Sequence, residues 1–135
     1  MPLFGKEHIE RYEATDGAEG YDWENGTTIL LLHTTGRKSG RDITSPLIFR
    51  EHDGDYLIVA SKGGAPAPPD WYLNLEQHPE VRVQIKGDVF DARARTASPA
   101  EKPALWQHMV EAWPAYSDYQ KKTDRNIPVV VLERA

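Results

Sequence analysis

Short apolar segments that alternate with polar turns are the dominant pattern of this chain. Residues 27–34 form a β-branched and apolar run, short enough for a strand that is buried on both faces. After the glycine-framed turn at 36–40, the pattern predicts strands over 43–50 and 56–60, with a hairpin signal at 52–55 between them. The first half of the chain therefore predicts three strands in quick succession.

The second half of the chain adds a hairpin and a closing strand. Apolar and polar residues alternate over 81–85 and again over 90–95, on either side of a turn at 86–87, which is typical of two strands with one face in water. Residues 127–132 form a last apolar run. About six short strands joined mainly by hairpins, without regular βαβ alternation, predict an α+β, mostly β fold: a small and mostly antiparallel barrel.

Two or three helices are expected between these strands. Asp70 is a candidate N-cap for a short helix that Pro79 ends. Ser98 and Glu101 have the spacing of a capping box, with a proline at the first helical position between them. The helix that follows would place five apolar residues on one face, namely Leu105, Trp106, Met109, Val110 and Trp113. A short aromatic segment then runs to Lys122.

The first 25 residues differ from the rest because they are polar, charged and rich in glycine. They indicate an arm with a short helix over 6–12. A chain of 135 residues is long enough to bury one core and too short for two independent ones. We therefore divide it into an N-terminal arm at 1–25 and a single barrel domain at 26–135.

Composition and charge exclude several classes of function. The net charge of −5 argues against nucleic acid as the main partner, because binding to a phosphate backbone needs a basic face. The chain has no cysteine, which excludes disulfides and thiolate chemistry and favours a reducing compartment. A charged N-terminus and the lack of an apolar run of about 18 residues argue against a signal peptide and stable membrane insertion, so we expect a cytoplasmic protein. The five histidines lack metal-ligand spacing, and no metal is expected.

A basic turn at 35–41 is the strongest local signal for a ligand. It carries three cations within five residues, framed by two glycines, in an otherwise acidic protein. Glycines let backbone N–H groups converge on an anion, and Arg and Lys add charge, so the turn is a candidate cradle for a phosphate or carboxylate. The spacing does not match a nucleotide P-loop. Taken alone, a solvated basic turn explains the same residues.

Two other segments are candidates for a ligand site. The Ser-Lys-Gly-Gly sequence at 61–64 directly follows a predicted buried strand, and its glycines permit close approach of a ligand to the backbone. Trp113, Tyr116 and Tyr119 are spaced at three residues within a polar segment, which favours a half-exposed aromatic wall. An ordinary loop and a stripe of core aromatics are the alternatives.

Five motifs in order resemble the deazaflavin-dependent nitroreductase family. They are T-T-G-R-K-S-G at 34–40, S-P-L at 45–47, A-S-K-G-G-A at 60–65, P-D-W-Y-L-N-L at 69–75 and K-T-D-R-N-I-P-V-V at 122–130. The resemblance runs from about Tyr12 to Glu133, nearly the whole chain. Five motifs in one order are far more specific than any one of them.

The resemblance implies a split β-barrel of the FMN-binding-like kind that holds coenzyme F420, a deazaflavin. In this family the reduced form, F420H2, passes a hydride from ring carbon C5 to an electron-poor acceptor such as an enone, a quinone or a nitroaromatic. The positions that match cofactor-binding positions of the family are Arg37, Lys38, Ser39, Gly40, Arg41, Pro46, Ala60, Ser61, Lys62, Gly63, Gly64, Trp71 and Asn74. Trp113, Tyr116 and Tyr119 match the acceptor pocket. The candidate catalytic residues, which would polarise or protonate the acceptor, are Ser61, Tyr116 and Tyr119.

One departure from the family bears on the charged tail of the cofactor. Many members have an arginine at the position of Ile43, whereas this chain places Arg41 beside Gly40, so we expect different tail contacts. Two other functions stay open: an FMN-dependent split-barrel reductase, and a non-catalytic protein that binds or carries F420. The acceptor is a small molecule that the sequence does not identify. The oligomeric state also stays open, although homodimers are common among split barrels.

Overall fold

A computed structural model describes residues 5–135 of the protein, and Met1 to Phe4 lie outside the described residues. In chain order the strands are β1 (Thr28–Thr35), β2 (Asp42–His52), β3 (Asp55–Val59), β4 (Glu80–Ile85), β5 (Asp88–Thr96) and β6 (Val129–Arg134). The helices are α1 (Gly5–Thr15), α2 (Asp70–Gln77), α3 (Lys102–Ala112) and α4 (Ala115–Lys121). The strands close into an antiparallel barrel in the order β1-β2-β3-β6-β5-β4. The six-stranded barrel predicted from the sequence is confirmed, with four helices where two or three were expected.

The barrel interior and two outer layers bury the apolar runs. Leu30 and Leu32 of β1 point into the interior, where they pack with Ile58, Val83 and others. The alternate β1 residues, Ile29 and Leu31, pack outside the barrel against Tyr12 of α1. A third cluster lies beneath α3 and α4 on the outer faces of β3 and β6. Strand β1 is thus buried on both faces, as its unbroken apolar run predicted.

The β4–β5 hairpin has the wet face that the alternating pattern predicted, with one exception. Arg82 pairs with Asp91 at 3.3 Å and Arg93 pairs with Glu80 at 2.8 Å on the exposed face. Gln84, predicted to face water, is buried instead. Its side-chain amide donates to the carbonyl of Lys86 at 2.8 Å. The residue is covered because α1 packs over this end of the hairpin, where Tyr12 reaches the carbonyl of Gln84.

The two reciprocal hydrogen bonds of the predicted capping box form, but α3 begins later than predicted, at Lys102, so Pro99 lies in the turn before the helix. The predicted cap of α2 does not form. The Ser98 N–H donates to the Glu101 carboxylate at 2.9 Å, and the Glu101 N–H donates to the Ser98 hydroxyl at 3.3 Å. Hydrogen bonds from Arg95 and then from Ser98 lower the pKa of Glu101 to about 2. At α2 the cap is Pro69, and Asp70 is the first helical residue. Asp70 is therefore free to pair with Arg37, at 3.4 Å.

Helix α1 is docked on the barrel from residue 5 onward. Tyr12 is fully buried, and its hydroxyl donates to the carbonyl of Ile29 at 3.0 Å and accepts from the N–H of Lys86 at 2.7 Å. The helix is longer than the 6–12 segment predicted from the sequence, and the domain boundary at residue 25 stays a prediction. Among residues 5–135, no helix combines the length and apolar character that crossing a bilayer requires.

Replacing Tyr12 with phenylalanine should lower the free energy of unfolding by about 1–3 kcal/mol, because the buried hydrogen bond to the Ile29 carbonyl and the partly buried one from the Lys86 N–H are lost. Burial also raises the pKa of Tyr12 from 10.0 to about 12. The folded chain keeps a proton that the unfolded chain releases, so this contribution is complete below pH 10 and is lost as pH rises towards 12. Urea unfolding at pH 7 and across that range measures both effects.

The matched control for this prediction is Tyr21→Phe. The ring of Tyr21 lies 4.5 Å from the Lys86 ammonium, but within the described residues its hydroxyl makes no hydrogen bond. The Tyr21 variant should keep the wild-type stability at pH 7. Equal stabilities for the two variants would show that the Tyr12 hydroxyl has no special role.

Candidate functional site

A cleft of about 480 Å³ lies where α1, β2, the 61–63 turn and α4 meet. It gathers residues from segments that are far apart in sequence. The predicted site residues that line it are Pro46, Ser61, Lys62, Gly63, Trp71, Trp113, Tyr116 and Tyr119. Its volume lies within the range of about 300–1,000 Å³ that is usual for small-molecule sites.

The turn after β3 forms one wall of the cleft through an unusual backbone. Lys62, Gly63 and Gly64 all have positive φ, at +46°, +63° and +84°. Ser61 before them is in the right-handed helical region, and its carbonyl accepts from the Gly64 N–H at 2.9 Å. A right-handed residue followed by a left-handed one is the backbone pattern that turns successive N–H groups towards an anion or a carbonyl oxygen. A non-glycine residue at positive φ is uncommon and is often associated with function.

The opposite wall is aromatic and belongs mainly to α4. The rings of Tyr116 and Tyr119 have centroids 6.1 Å apart and meet edge to face. The indole N–H of Trp113 donates to the Tyr119 hydroxyl at 3.4 Å. Tyr116 is only 5% exposed, and this burial raises its pKa above the ordinary tyrosine value. Tyr116 therefore keeps its proton at neutral pH, and the wall as a whole suits the face of a planar molecule.

The basic turn is hydrogen-bonded to α2, and its residues do not line the cleft. The Oδ1 atom of Asn74 accepts from the Arg37 backbone N–H at 3.1 Å and from the Arg37 guanidinium at 2.9 Å. Asn74 is only 1% exposed, and its amide nitrogen donates to the Thr34 hydroxyl at 3.4 Å. Asn74 and Arg37 thus hold the turn in place. Most of the side-chain polar atoms of these two residues already have hydrogen-bond partners within the protein.

The remaining cations of this region have no acidic partner. Lys38 and Arg41 are exposed, and within residues 5–135 no carboxylate oxygen lies within 4.0 Å of Lys38, Arg41 or Lys62. The Arg41 carbonyl closes the turn by accepting from the Gly36 N–H at 2.8 Å. Ile43, at the position of the expected family arginine, is 38% exposed. Positive charge is therefore available for an anion beside the cleft.

Some predicted cofactor residues make no contact with the cleft. Those outside its lining are Arg37, Lys38, Ser39, Gly40, Arg41, Ala60, Gly64 and Asn74. Ala60 is fully buried and its side chain belongs to the barrel interior. Gly64 packs against the backbone of Tyr119. A direct role for these residues in ligand binding stays a prediction.

The structure adds lining residues that the sequence analysis missed. His8 and Trp23 come from the segment before the barrel. The Trp23 ring lies 5.6 Å from that of Trp113, so it extends the aromatic wall. A tryptophan in a polar, glycine-rich stretch was a signal that could have identified Trp23. His8 carried no such signal; its Nε2 donates to the carbonyl of Gly20 at 2.8 Å.

A larger cavity, of about 750 Å³, contains none of the predicted site residues. It lies among α2, α3 and the segment before β6, with Tyr72, Lys102, Trp106 and Arg125 among its lining residues. In the part of the chain that is described, no three histidine or acidic side chains converge to form a metal site. The 480 Å³ cleft is therefore the better candidate for the cofactor and its acceptor.

Comparisons with known proteins point to one family. The model of the F420H(2)-dependent quinone reductase family matches residues 4–134. An F420H(2)-dependent quinone reductase of Mycobacterium tuberculosis is 39% identical over 130 residues, covering 94% of this chain and 87% of that protein. A solved structure of an F420-H2 dependent reductase, FDR-A, has 46% identity and a TM-score of 0.72, covering 78% of this chain and 93% of that one.

A second solved structure, described as a domain-swapped dimer, is 42% identical with a TM-score of 0.75 and covers 95% of this chain and 96% of that chain. The resemblance to the deazaflavin-dependent enzymes is thus confirmed, and the split-barrel fold with it. The relatives' names specify a quinone, one of the acceptors that the resemblance implied. The match over residues 4–134 shows that this chain belongs to the F420H2-dependent quinone reductase family.

Proposed function

We propose that this protein is an F420H2-dependent oxidoreductase that reduces a quinone in the 480 Å³ cleft. The observation that carries the proposal is that one cleft unites the turn at 61–63 and Trp71, which belong to separate family motifs, with the tyrosines of α4, which match the acceptor pocket of the family. Family membership supplies the cofactor. The aromatic wall and the unpaired cations beside it are the chemistry that a planar, anionic cofactor requires.

The residues present fit F420. Its flat ring would lie between Pro46, Trp71 and the turn that carries Ser61 and Lys62. The positive φ angles of this turn would direct its backbone N–H groups towards the ring. Its phosphate and acidic tail would extend to the exposed cations Lys38 and Arg41. Arg37, whose guanidinium is held by Asn74 and Asp70, would shape the turn and contribute charge.

When bound, F420H2 supplies a hydride for a two-electron reduction. A quinone that gains a hydride also needs one proton to become a hydroquinone. Ser61 and Tyr119 are placed at the cleft to donate a hydrogen bond to the acceptor oxygen, where negative charge develops. Tyr116 keeps its proton because it is buried. Trp23 and Trp113 complete an apolar wall that excludes water from the reacting atoms.

Titration of the purified protein with F420H2 and, separately, with FMN tests the proposal. Binding is followed by fluorescence, and menadione or a nitroaromatic is then added. Tight F420H2 binding with menadione-dependent oxidation supports the proposal. Binding without oxidation of F420H2 by any acceptor favours a carrier protein, and preference for FMN keeps the fold but overturns the cofactor.

Lys38→Ala should weaken F420 binding and make the remaining affinity less dependent on salt. The ammonium is exposed and unpaired, so its attraction to the tail is screened over a Debye length of about 10 Å at 0.1 M ionic strength. Fluorescence titrations at several salt concentrations measure both effects. Arg82→Ala is the matched control, since it removes one exposed positive charge from β4. Identical salt slopes for the Lys38 variant and the wild type would refute this role.

We also propose a cytoplasmic homodimer that has no nucleic-acid partner. The similar structure described as a domain-swapped dimer supports the assembly, the cysteine-free composition suits a reducing compartment, and the net charge of −5 disfavours polyanions. Light scattering after size-exclusion chromatography tests the assembly: a monomeric mass at micromolar concentration would refute the dimer.

A further inference from the structure

Arg125 lies outside the cleft but binds the loop that forms one of its walls. Its Nε, Nη1 and Nη2 atoms donate to the carbonyls of Ala65 at 2.9 Å, Ala60 at 3.2 Å and Ser61 at 2.7 Å. Among the described residues, no carboxylate forms an ion pair with Arg125. The Arg125 guanidinium group thus donates hydrogen bonds to three backbone carbonyls, which lie at the two ends of the 60–65 loop.

The backbone around Arg125 is tied in turn to the helix of the opposite wall. Gln120 of α4 donates through Nε2 to the carbonyl of Arg125 at 2.8 Å, and its Oε1 accepts from the N–H of Ile127 at 3.0 Å. The same helix carries Tyr116 and Tyr119. A continuous set of hydrogen bonds therefore joins the 60–65 loop to α4 through Arg125.

The 60–65 loop and α4, which these hydrogen bonds join, are also in direct contact with each other. A Cβ atom at Gly64 would lie only 2.6 Å from the carbonyl oxygen of Tyr119, so loop and helix are already in close contact there. Left-handed backbone at Lys62, which is not a glycine, is intrinsically costly, and such a conformation persists only where the surroundings enforce it. The three charge-assisted hydrogen bonds from Arg125 stabilise this conformation of the loop.

We infer that Arg125 is a positioning residue: it fixes the 60–65 loop in its left-handed conformation and sets the spacing between Ser61 and Tyr119. It touches neither cofactor nor acceptor in this assignment. The inference rests on the proposed function for its effect on F420, whereas its effect on the loop is independent of any ligand. Arg125 therefore differs from a surface cation that attracts the tail of the cofactor.

The cavity beside Arg125 offers a way to distinguish positioning from general stabilisation. Arg125 lines the 750 Å³ cavity, so its truncation leaves a space that a free guanidinium ion can enter. In Arg125→Ala, amide hydrogen exchange of residues 61–65 should become at least tenfold faster, and F420 affinity should fall at least tenfold, as expected for loss of charged hydrogen bonds. Guanidinium chloride at tens of millimolar should restore both, and sodium chloride at equal ionic strength should restore neither.

Each outcome has a defined meaning. If Arg125→Ala does not fold, Arg125→Lys takes its place, because it keeps the charge and loses the three-way fork; faster exchange confined to the 60–65 loop then supports the inference. Unchanged exchange in 61–65, or acceleration spread evenly over the barrel, overturns it. If the wild type fails to bind F420 while the loop exchange behaves as expected, the proposed function fails and the positioning role stands.

Discussion

Replacing Gly64 with alanine is expected to lower the free energy of unfolding by about 2–5 kcal/mol, from about 1–2 kcal/mol of left-handed backbone strain and about 1–3 kcal/mol of overpacking. The backbone at Gly64 has a φ of +84°. An added Cβ would lie 2.6 Å from the Tyr119 carbonyl oxygen and 3.0 Å from its Cα, and neither backbone atom can move without shifting α4. The two walls of the cleft would separate, and F420 affinity should fall with stability.

The matched control is Gly63→Ala, which shares the left-handed backbone and lacks the close contact. Gly63 has a φ of +63°, and a Cβ there would meet nothing within 4 Å. Its cost in stability should therefore be limited to the backbone strain of about 1–2 kcal/mol. Urea unfolding of both variants measures the difference. Equal losses would mean that the contact between Gly64 and Tyr119 does not constrain the cleft.

The sequence contains most of the information needed for the barrel. Short apolar runs and turn signals predict the six strands and the β2–β3 and β4–β5 hairpins, because local chemistry specifies each turn. The pairing of β6 with β3 and β5, and of β1 with β4, joins segments distant in sequence and was not predicted. The alternation of inward and outward residues fails at Gln84, which is buried by α1. A single strand's periodicity cannot reveal that a distant helix will cover its polar face. The cap at Asp70 fails because α2 begins one residue earlier than predicted, with Pro69 as its cap, and the Asp70 carboxylate instead pairs with Arg37, which lies 33 positions earlier.

The candidate site was predicted in part. Two family motifs identified Ser61 and Trp71, the spacing of aromatic residues identified Tyr116 and Tyr119, and the structure brings all four into one cleft. Trp23 and His8 carried no family motif, and their approach to the cleft depends on how α1 docks on the barrel. Arg125 was recognised only as part of a motif, since its three carbonyl partners lie about 60 positions earlier and are set by the tertiary fold.

Of the two tyrosines in α4, we expect Tyr119 to be the better proton donor. Trp113 donates its indole N–H to the Tyr119 oxygen at 3.4 Å, and an indole nitrogen is a donor only. The proton of Tyr119 is therefore left available for another acceptor. Tyr119 is half-buried at the cleft, whereas Tyr116 is 5% exposed and packs with the cluster beneath α3 and α4. Tyr116 is better placed to support Tyr119 than to reach an acceptor oxygen.

Tyr119→Phe should accordingly lower kcat for menadione reduction on the order of 10²-fold, the usual cost of removing one hydrogen-bond donor from a developing oxyanion. F420 affinity should stay near the wild-type value, because the ring of residue 119 and its packing are retained. Fluorescence titration and steady-state kinetics on the same preparation separate the two quantities. Tyr116→Phe should have a smaller effect on kcat than Tyr119→Phe.

Tyr72→Phe is the control for loss of a tyrosine hydroxyl elsewhere in the protein. Its hydroxyl bonds to that of Thr96 at 2.8 Å, and the residue lines the larger cavity outside the cleft. The Tyr72 variant should keep wild-type kcat. Wild-type turnover in Tyr119→Phe would remove Tyr119 from the mechanism and leave Ser61 and Tyr116 as the candidate donors, because both also line the cleft and carry a hydroxyl. A large loss in Tyr119→Phe, together with unchanged F420 binding, would place the proton donor on α4, opposite the turn that holds the cofactor.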